Sequence, residues 1–240
     1  MIKSTFDLEK ELLKKGYHIV IGIDEAGRGP LAGPVVASAV AFKTYDFVIP
    51  EDKTKQFDLV RDSKKLSHKQ REDIFDFIHE HFWVGVGICD HHTIDRINIL
   101  EATYLAAKMA VADLLRKIDQ DTRNKEQANS KLQNPNHKQI ANIKIMILFD
   151  GNKLIPNFSH EQRAIVGGDG ITKSISAASI IAKVTRDRIM LGLDAKYPAY
   201  DFKAHKGYGT KLHMEMIHLH GPSEIHRQSF EPMKSMRKKK

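Results

Sequence analysis

The chain reads as a three-layer α/β domain in which short buried strands are interleaved with longer amphipathic helices. Two observations carry this reading. Strand-length apolar runs alternate with segments whose apolar residues recur every three or four positions, the two periods that separate sheet from helix. A length of 240 residues, 41% of them hydrophobic, is enough for one sizeable core. No internal repeat breaks the order.

The elements follow in sequence. Asp7 to Lys15 sets Leu8, Leu12 and Leu13 on one helical face, and Gly16 stops it. His18 to Ile23 is a β-branched run, read as a buried strand that ends at Asp24. Val35 to Phe42 is a second strand, so Gly27 to Pro34 is a turn. Ser67-His68-Lys69-Gln70 fits a capping box, and the helix after it turns Ile74, Phe75, Ile78 and Phe82 inward. Val84, Val86 and Ile88 alternate with smaller residues as a strand does. Leu100, Tyr104, Ala107, Val111, Leu114 and Ile118 mark a long amphipathic helix. Asp119 to Ala141 is polar and aperiodic, the pattern of a mobile surface insertion. Ile143 to Phe149 is a further strand and Ala164-Ile165-Val166 a third short apolar run. Ser174 to Tyr197 is helical, with Pro198 beyond its end. Thr210 to His220 is the last clear helix, closed by Gly221-Pro222.

The formal net charge of +8 favours polyanionic partners, of which nucleic acid is the commonest. The tail Met236-Arg237-Lys238-Lys239-Lys240 inflates that figure. No apolar run reaches membrane-spanning length, and the N-terminus lacks a signal-peptide core. The single cysteine, Cys89, excludes an intrachain disulfide and a cysteine zinc cluster. A soluble, cytoplasmic, monomeric protein with no membrane partner is expected.

Acids follow three of the strand-like runs: Asp24 with Glu25, then Asp150, then Asp169. Neighbouring strand ends of a sheet can converge, and chemistry is commonly hosted there. Clustered carboxylates repel and raise one another's pKa values. A bound dication relieves that repulsion, and all-oxygen ligation selects Mg²⁺ or Mn²⁺ over zinc. Taken singly, Asp150 and Asp169 read more readily as turn residues before glycine than as metal ligands. The adjacent pair Asp24-Glu25, followed at once by Gly27-Arg28-Gly29-Pro30, is the stronger signal of a divalent-metal nuclease.

Other motifs fail on their context. Gly27-Arg28-Gly29-Pro30-Leu31-Ala32 fits a loose dinucleotide-binding pattern, but a pyrophosphate there faces two acids, and a strand follows where a helix is needed. Lys173-Ser174 lacks the preceding glycine of a phosphate-binding loop, and neither a His-Glu-x-x-His zinc pattern nor a serine elbow occurs.

The run Asp24 to Val36 (Asp-Glu-Ala-Gly-Arg-Gly-Pro-Leu-Ala-Gly-Pro-Val-Val) closely resembles the signature of type 2 ribonucleases H, in particular the bacterial ribonuclease HII group. Asp62-Ser63-Lys64-Lys65-Leu66-Ser67, Asp150-Gly151-Asn152, Ile175 to Asp187, and His205-Lys206-Gly207-Tyr208-Gly209-Thr210 follow in the family's order. The resemblance spans about residues 18 to 231.

The resemblance implies a ribonuclease H-like core with a central mixed sheet over residues 1–198, interrupted by the polar insertion at 119–141. A small C-terminal helical, substrate-binding part with the basic tail is implied over 199–240. The implied substrates are RNA–DNA hybrids and duplex DNA containing single ribonucleotides, cut 5′ of a ribonucleotide to leave a 3′-hydroxyl and a 5′-phosphate. Asp24, Glu25, Asp150 and Asp169 carry over as catalytic, metal-holding acids. Gly27, Arg28 and Gly29 carry over as the loop that meets the 2′-hydroxyl, its two glycines letting backbone come close. Tyr208 carries over as the tyrosine that packs on the sugar beside the ribonucleotide; by spacing alone it reads equally as a core aromatic. Lys64, Lys65 and Lys183 are candidate phosphate contacts or simply solvated lysines. The tail carries no sliding-clamp-binding pattern. A DNA-cutting integrase or resolvase, and a binding module whose acids are structural, are the competing readings.

Overall fold

The computed structural model describes residues 4–43, 49, 51–128 and 143–237. Helix α1 (Asp7–Lys14) precedes strand β1 (Ile19–Ala26), and a turn through 27–34 leads into β2 (Val35–Phe42). Two helices, α2 (Thr54–Leu59) and α3 (His68–His81), run into β3 (Phe82–Cys89), and α4 (His91–Ile97) and α5 (Ile99–Ala128) follow. After β4 (Ile145–Asp150) and β5 (Glu161–Ile165) come α6 (Lys173–Lys196), α7 (Phe202–His205), α8 (Lys211–His220) and α9 (Met233–Arg237).

The strands form one sheet in the order β3-β2-β1-β4-β5. β1 and β3 flank β2 antiparallel, whereas β4 runs parallel to both β1 and β5, so the central sheet is mixed. Alternation along each strand assigns its two faces. Ile19, Ile21 and Ile23 of β1 and Ala37 and Ala39 of β2 pack with Ala106, Ala110 and Leu114 of α5. On the other face Val40, Phe42 and Val84 pack with Ala177, Ile181 and Val184 of α6, and Val20 and Leu148 with Ile175 and Leu12. The three layers are therefore α5, the sheet, and α6 with α1 and α3.

At Gly22, β1 and α6 meet backbone to backbone: a Cβ there would lie 2.3 Å from the Ile175 nitrogen. The same helix has its N-terminus capped from a distance. Glu9 of α1 is buried, and one of its oxygens accepts from the Ser174 N–H (2.9 Å) and hydroxyl (2.8 Å). A carboxylate there satisfies an otherwise orphaned amide and complements the helix dipole. Past α6 the chain folds back. Tyr200, Phe202, Ile217 and Ile225 bury together with Met190 of α6 and Ala32 of the 27–34 turn.

Several local expectations differ from what the fold contains, and the edge strand is one, lying at Glu161–Ile165 rather than at Ala164-Ile165-Val166. β1 does not end at Asp24, because its ladder with β2 continues through Glu25↔Ala37 and Ala26↔Val36. The helix α5 does not end at Ile118 but runs to Ala128. Its polar end is held by an Asp119–Arg123 ion pair one turn apart (2.8 Å), by Thr122 donating to the Ile118 carbonyl (2.9 Å) and, from β3, by Trp83 donating to Asp121 (3.2 Å). The rest of the polar stretch, 129–141, and the last three lysines lie outside the described residues. On α3 it is Phe77 that turns inward with Ile74 and Ile78, while Phe82 is buried as the first residue of β3 and Phe75 is only partly covered. Among the described residues no helix is long and apolar enough to cross a membrane.

Candidate active site

Asp24 lies on β1, and Asp150 is the last residue of β4 on the parallel neighbour, one step beyond the pair Ile23↔Phe149. Asp169 sits in a single 3₁₀ turn (Gly168–Gly170) that joins β5 to α6. Adjacent strands thus deliver three carboxylates to one place, and one oxygen from each lies within 4.8 Å of the others. Asp24 and Asp169 are each only 6% exposed. Glu25 is next to this group but not in it. One of its oxygens accepts from the exposed Arg28 guanidinium (3.1 Å), and the other is buried without a hydrogen-bond partner.

Electrostatics follow from that geometry. Burial, then the Glu25 and Asp150 charges, push the Asp24 carboxyl well above the usual carboxylate range, although the Ser179 hydroxyl and the Glu25 N–H (2.7 Å) hydrogen-bond to it. Burial also raises Glu25, against the opposing pull of Arg28. Asp150 is raised by burial and by Asp169, against a hydrogen bond from the Gly168 N–H (2.7 Å). Lys64 brings a positive charge to the cluster, its Nζ 3.1 Å from Asp169. Four neighbouring acidic side chains, of which Asp24, Glu25 and Asp150 are pushed up and Glu25 has an orphaned buried oxygen, are a hard, all-oxygen donor set. They fit a divalent cation of the Mg²⁺ or Mn²⁺ kind.

The turn leading away from Asp24 and Glu25 is built from inside by two arginines. Arg186 of α6 and Arg227 are both fully buried. Arg186 donates to the carbonyls of Pro34 (3.0 Å), Ala32 (3.1 Å) and Lys206 (2.9 Å). Arg227 donates to those of Gly33 (3.0 Å), Arg28 (3.1 Å), Gly27 (2.6 Å) and Pro34 (3.2 Å). The backbone of residues 27–34 is thereby pinned to the protein interior. Its exposed tip is Arg28-Gly29, with the Tyr208 ring alongside, 3.9 Å from where a Gly29 Cβ would stand.

The two glycines of the tip consequently do different jobs. Gly27 is buried, at φ +101°, and an added Cβ would lie 2.2 Å from the Arg186 Nε, so its missing side chain serves internal packing rather than an approach from outside. Only Gly29 leaves open space on the surface. Gly27→Ala is expected to destabilise the fold by about 2 kcal/mol or more, through strain at positive φ and displacement of a buried guanidinium. Gly29→Ala is expected to unfold at the wild-type temperature yet lose cleavage. Thermal scans of both variants beside a cleavage assay check this, and equal melting temperatures for the two would refute the division of labour.

The remaining sequence-picked residues divide. Tyr208 is 42% exposed, not a core aromatic, with Lys183 Nζ and the Arg186 guanidinium each 5.7 Å from its ring centre. Lys183 also pairs with Asp187 (2.8 Å). Lys65 turns back to Asp62 (3.6 Å) and does not join the acids. Sequence reasoning gave no individual role to Arg186, Arg227, Ser179 or Ser63, whose hydroxyl lies 2.8 Å from that of Ser179. Ser63 lies in the run Asp62 to Ser67, and Ser179 and Arg186 in the run Ile175 to Asp187, but neither run reveals burial, and Arg227 carries no signal beyond its place beside His226.

A family model described as Ribonuclease HII matches residues 21–233. A protein named Ribonuclease HII from Caldicellulosiruptor bescii is 44% identical over 229 residues, 95% of this chain and 94% of that one. Another of that name from Fusobacterium nucleatum subsp. nucleatum is 46% identical over 216 residues, 89% of this chain and 86% of its own. Among solved structures, the crystal structure of the ribonuclease H2 from Pyrococcus horikoshii OT3 is 25% identical with a TM-score of 0.61, covering 92% of this chain and 98% of that one.

Proposed function

From the premise that the chain belongs to the ribonuclease HII family, and so is an endoribonuclease with a ribonuclease H-like α/β fold, we propose that it cuts the RNA strand of RNA–DNA hybrids and incises duplex DNA 5′ of single ribonucleotides. A 3′-hydroxyl and a 5′-phosphate are the products of that reading. The observation that carries it is the continuity of β1 with the turn that follows. Asp24 and Glu25, beside Asp150 and Asp169, lie only a few residues from an exposed Arg28-Gly29 tip faced by Tyr208.

Asp24, Glu25, Asp150 and Asp169 would hold the divalent ions, Mg²⁺ or Mn²⁺. Bound there, a pair of such ions supplies an activated water and stabilises the departing oxygen of a phosphodiester. The protein's own groups do the rest. Backbone at Arg28 and Gly29 hydrogen-bonds the 2′-hydroxyl, the group that separates RNA from DNA. The Tyr208 ring packs on the neighbouring sugar, and its phenol and rigid body cost little entropy to place. Lys64 and Lys183 contact flanking phosphates, and Lys65 does so more remotely.

One assay tests the reading: duplexes with a single ribonucleotide, a long hybrid and all-DNA, each with Mg²⁺ or with EDTA. Metal-dependent cutting of the first two only is expected. Equal cutting of all-DNA would mean a DNA nuclease, and binding without cutting a mere binding module. Tyr208→Ala is expected to reduce cutting at single ribonucleotides by about tenfold or more and that of the long hybrid by less; an equal loss on both would count against junction reading.

A further inference from the structure

The peptide that carries Tyr208 is fastened from below by three buried histidines, and their hydrogen bonds leave one arrangement of protons. His226 Nδ1 accepts from the Ser223 N–H (2.9 Å), so the proton of a neutral His226 sits on Nε2. That nitrogen faces His213 Nε2 at 3.0 Å, which must then be bare. The His213 proton is consequently on Nδ1, where it donates to the Tyr208 carbonyl (2.9 Å). His205 stacks on His213, with ring centres 4.2 Å apart, and its Nδ1 accepts from the Gly207 N–H (3.2 Å). Its Nε2 therefore donates to the Tyr200 carbonyl (2.8 Å). His213 and His226 are fully buried. Burial lowers both to about 4, in keeping with neutral rings whose facing nitrogens cannot both be protonated.

We propose that His213, held in one tautomer by His226, is a positioning residue that fixes the Tyr208 peptide and through it the discrimination of single ribonucleotides. The second half rests on the reading of Tyr208 given above. The tie is strong because the Tyr208 carbonyl receives two donors, His213 and the Thr210 N–H (2.8 Å), while the Gly207 carbonyl binds the Leu31 N–H of the 27–34 turn (2.8 Å). A shift at His213 thus moves the tyrosine relative to the Arg28-Gly29 tip.

The test compares His213→Phe, which keeps a ring but loses the donor, with His213→Asn, whose amide can donate where Nδ1 does. Hydrogen exchange at the amides of residues 207–210 is measured beside cleavage of both substrates. Faster exchange is expected in the Phe variant alone. Its incision at single ribonucleotides is expected to fall about tenfold, with the long hybrid changed less than about threefold, and Asn is expected to restore most of the loss. On a Tyr208→Ala background the Phe substitution is expected to add nothing, as for two residues acting through one step. Unchanged exchange, or equal loss on both substrates without rescue by Asn, would overturn the proposal in favour of plain packing. If Tyr208→Ala shows no substrate bias, the junction reading fails while the exchange comparison still decides whether His213 holds the peptide. Should His213→Phe not fold, His226→Phe frees the His213 tautomer, and faster exchange at 207–210 is again the expected result, no change the contrary one.

Discussion

Asp24→Asn is expected to abolish cleavage, a loss of about a thousandfold or more, equivalent to roughly 4 kcal/mol of transition-state stabilisation. The substitution keeps the side-chain volume and the acceptor for the Glu25 N–H, so the ladder with β2 should survive. It removes a buried charge from among Glu25, Asp150 and Asp169, whose mutual repulsion opposes folding when no cation is bound. The sign follows from the raised pKa: the folded state prefers protonated Asp24, so at neutral pH its ionised form is a burden and Asn relieves it. Two melting curves per protein check the account. In chelator the Asn variant should melt higher than wild type, and added Mg²⁺ should stabilise wild type more than the variant. Wild-type turnover, or the same Mg²⁺ response in both proteins, would refute the role given to this carboxylate.

Arg227→Met is expected to carry the largest stability cost among the residues near the site. It would strand the carbonyls of Gly27 and Gly33 in the interior, where each unmade hydrogen bond costs about 1–3 kcal/mol, and remove one donor each from those of Arg28 and Pro34, the latter still held by Arg186. Allowing for relaxation, about 3 kcal/mol and a fall of roughly 6–12 °C in melting temperature are expected. Lysine should not rescue it, because one ammonium cannot reach the acceptors that a planar fork reaches together. Burial and the neighbouring Arg186 hold the Arg227 guanidinium down to about 9, still charged at neutral pH, so the contact is charge-assisted under ordinary conditions. A melting temperature within a couple of degrees of wild type would mean the turn holds itself without the arginine.

The sheet and its long helices were legible because their apolar periods are local properties of the chain. Ile19, Ile21 and Ile23 announce a strand whatever lies beside them, and Leu100 to Ile118 announces a helix. The end of α5 was not legible, since the Asp119–Arg123 pair and the Thr122 hydroxyl on the Ile118 carbonyl are polar bonds that leave no apolar period. The edge strand β5 was misplaced for a related reason. Its Glu161-Gln162-Arg163 half is polar, and Val166, the last member of the apolar run, is exposed beyond the strand. For the site, the acids were visible as residues that follow strand-like runs. What the sequence withheld was the scaffold beneath them. A buried arginine and a surface arginine are the same letter, and only the carbonyls around Arg186 and Arg227 tell them apart.

The close meeting of β1 and α6 at Gly22 sets the gauge of the whole acid cluster. Two residues on from Gly22 is Asp24, and Asp169 precedes Ile175, whose nitrogen a Gly22 side chain would strike. Elsewhere in a core, the gap between a sheet and a helix is filled by side chains that can repack when one is exchanged. Here there is no such cushion. The span between the acid on the sheet and the acid at the foot of the helix is set by main chain resting on main chain, as rigid as the peptide unit itself. A methyl group at position 22 would act as a wedge driven under a hinge, opening the cluster without touching any member of it.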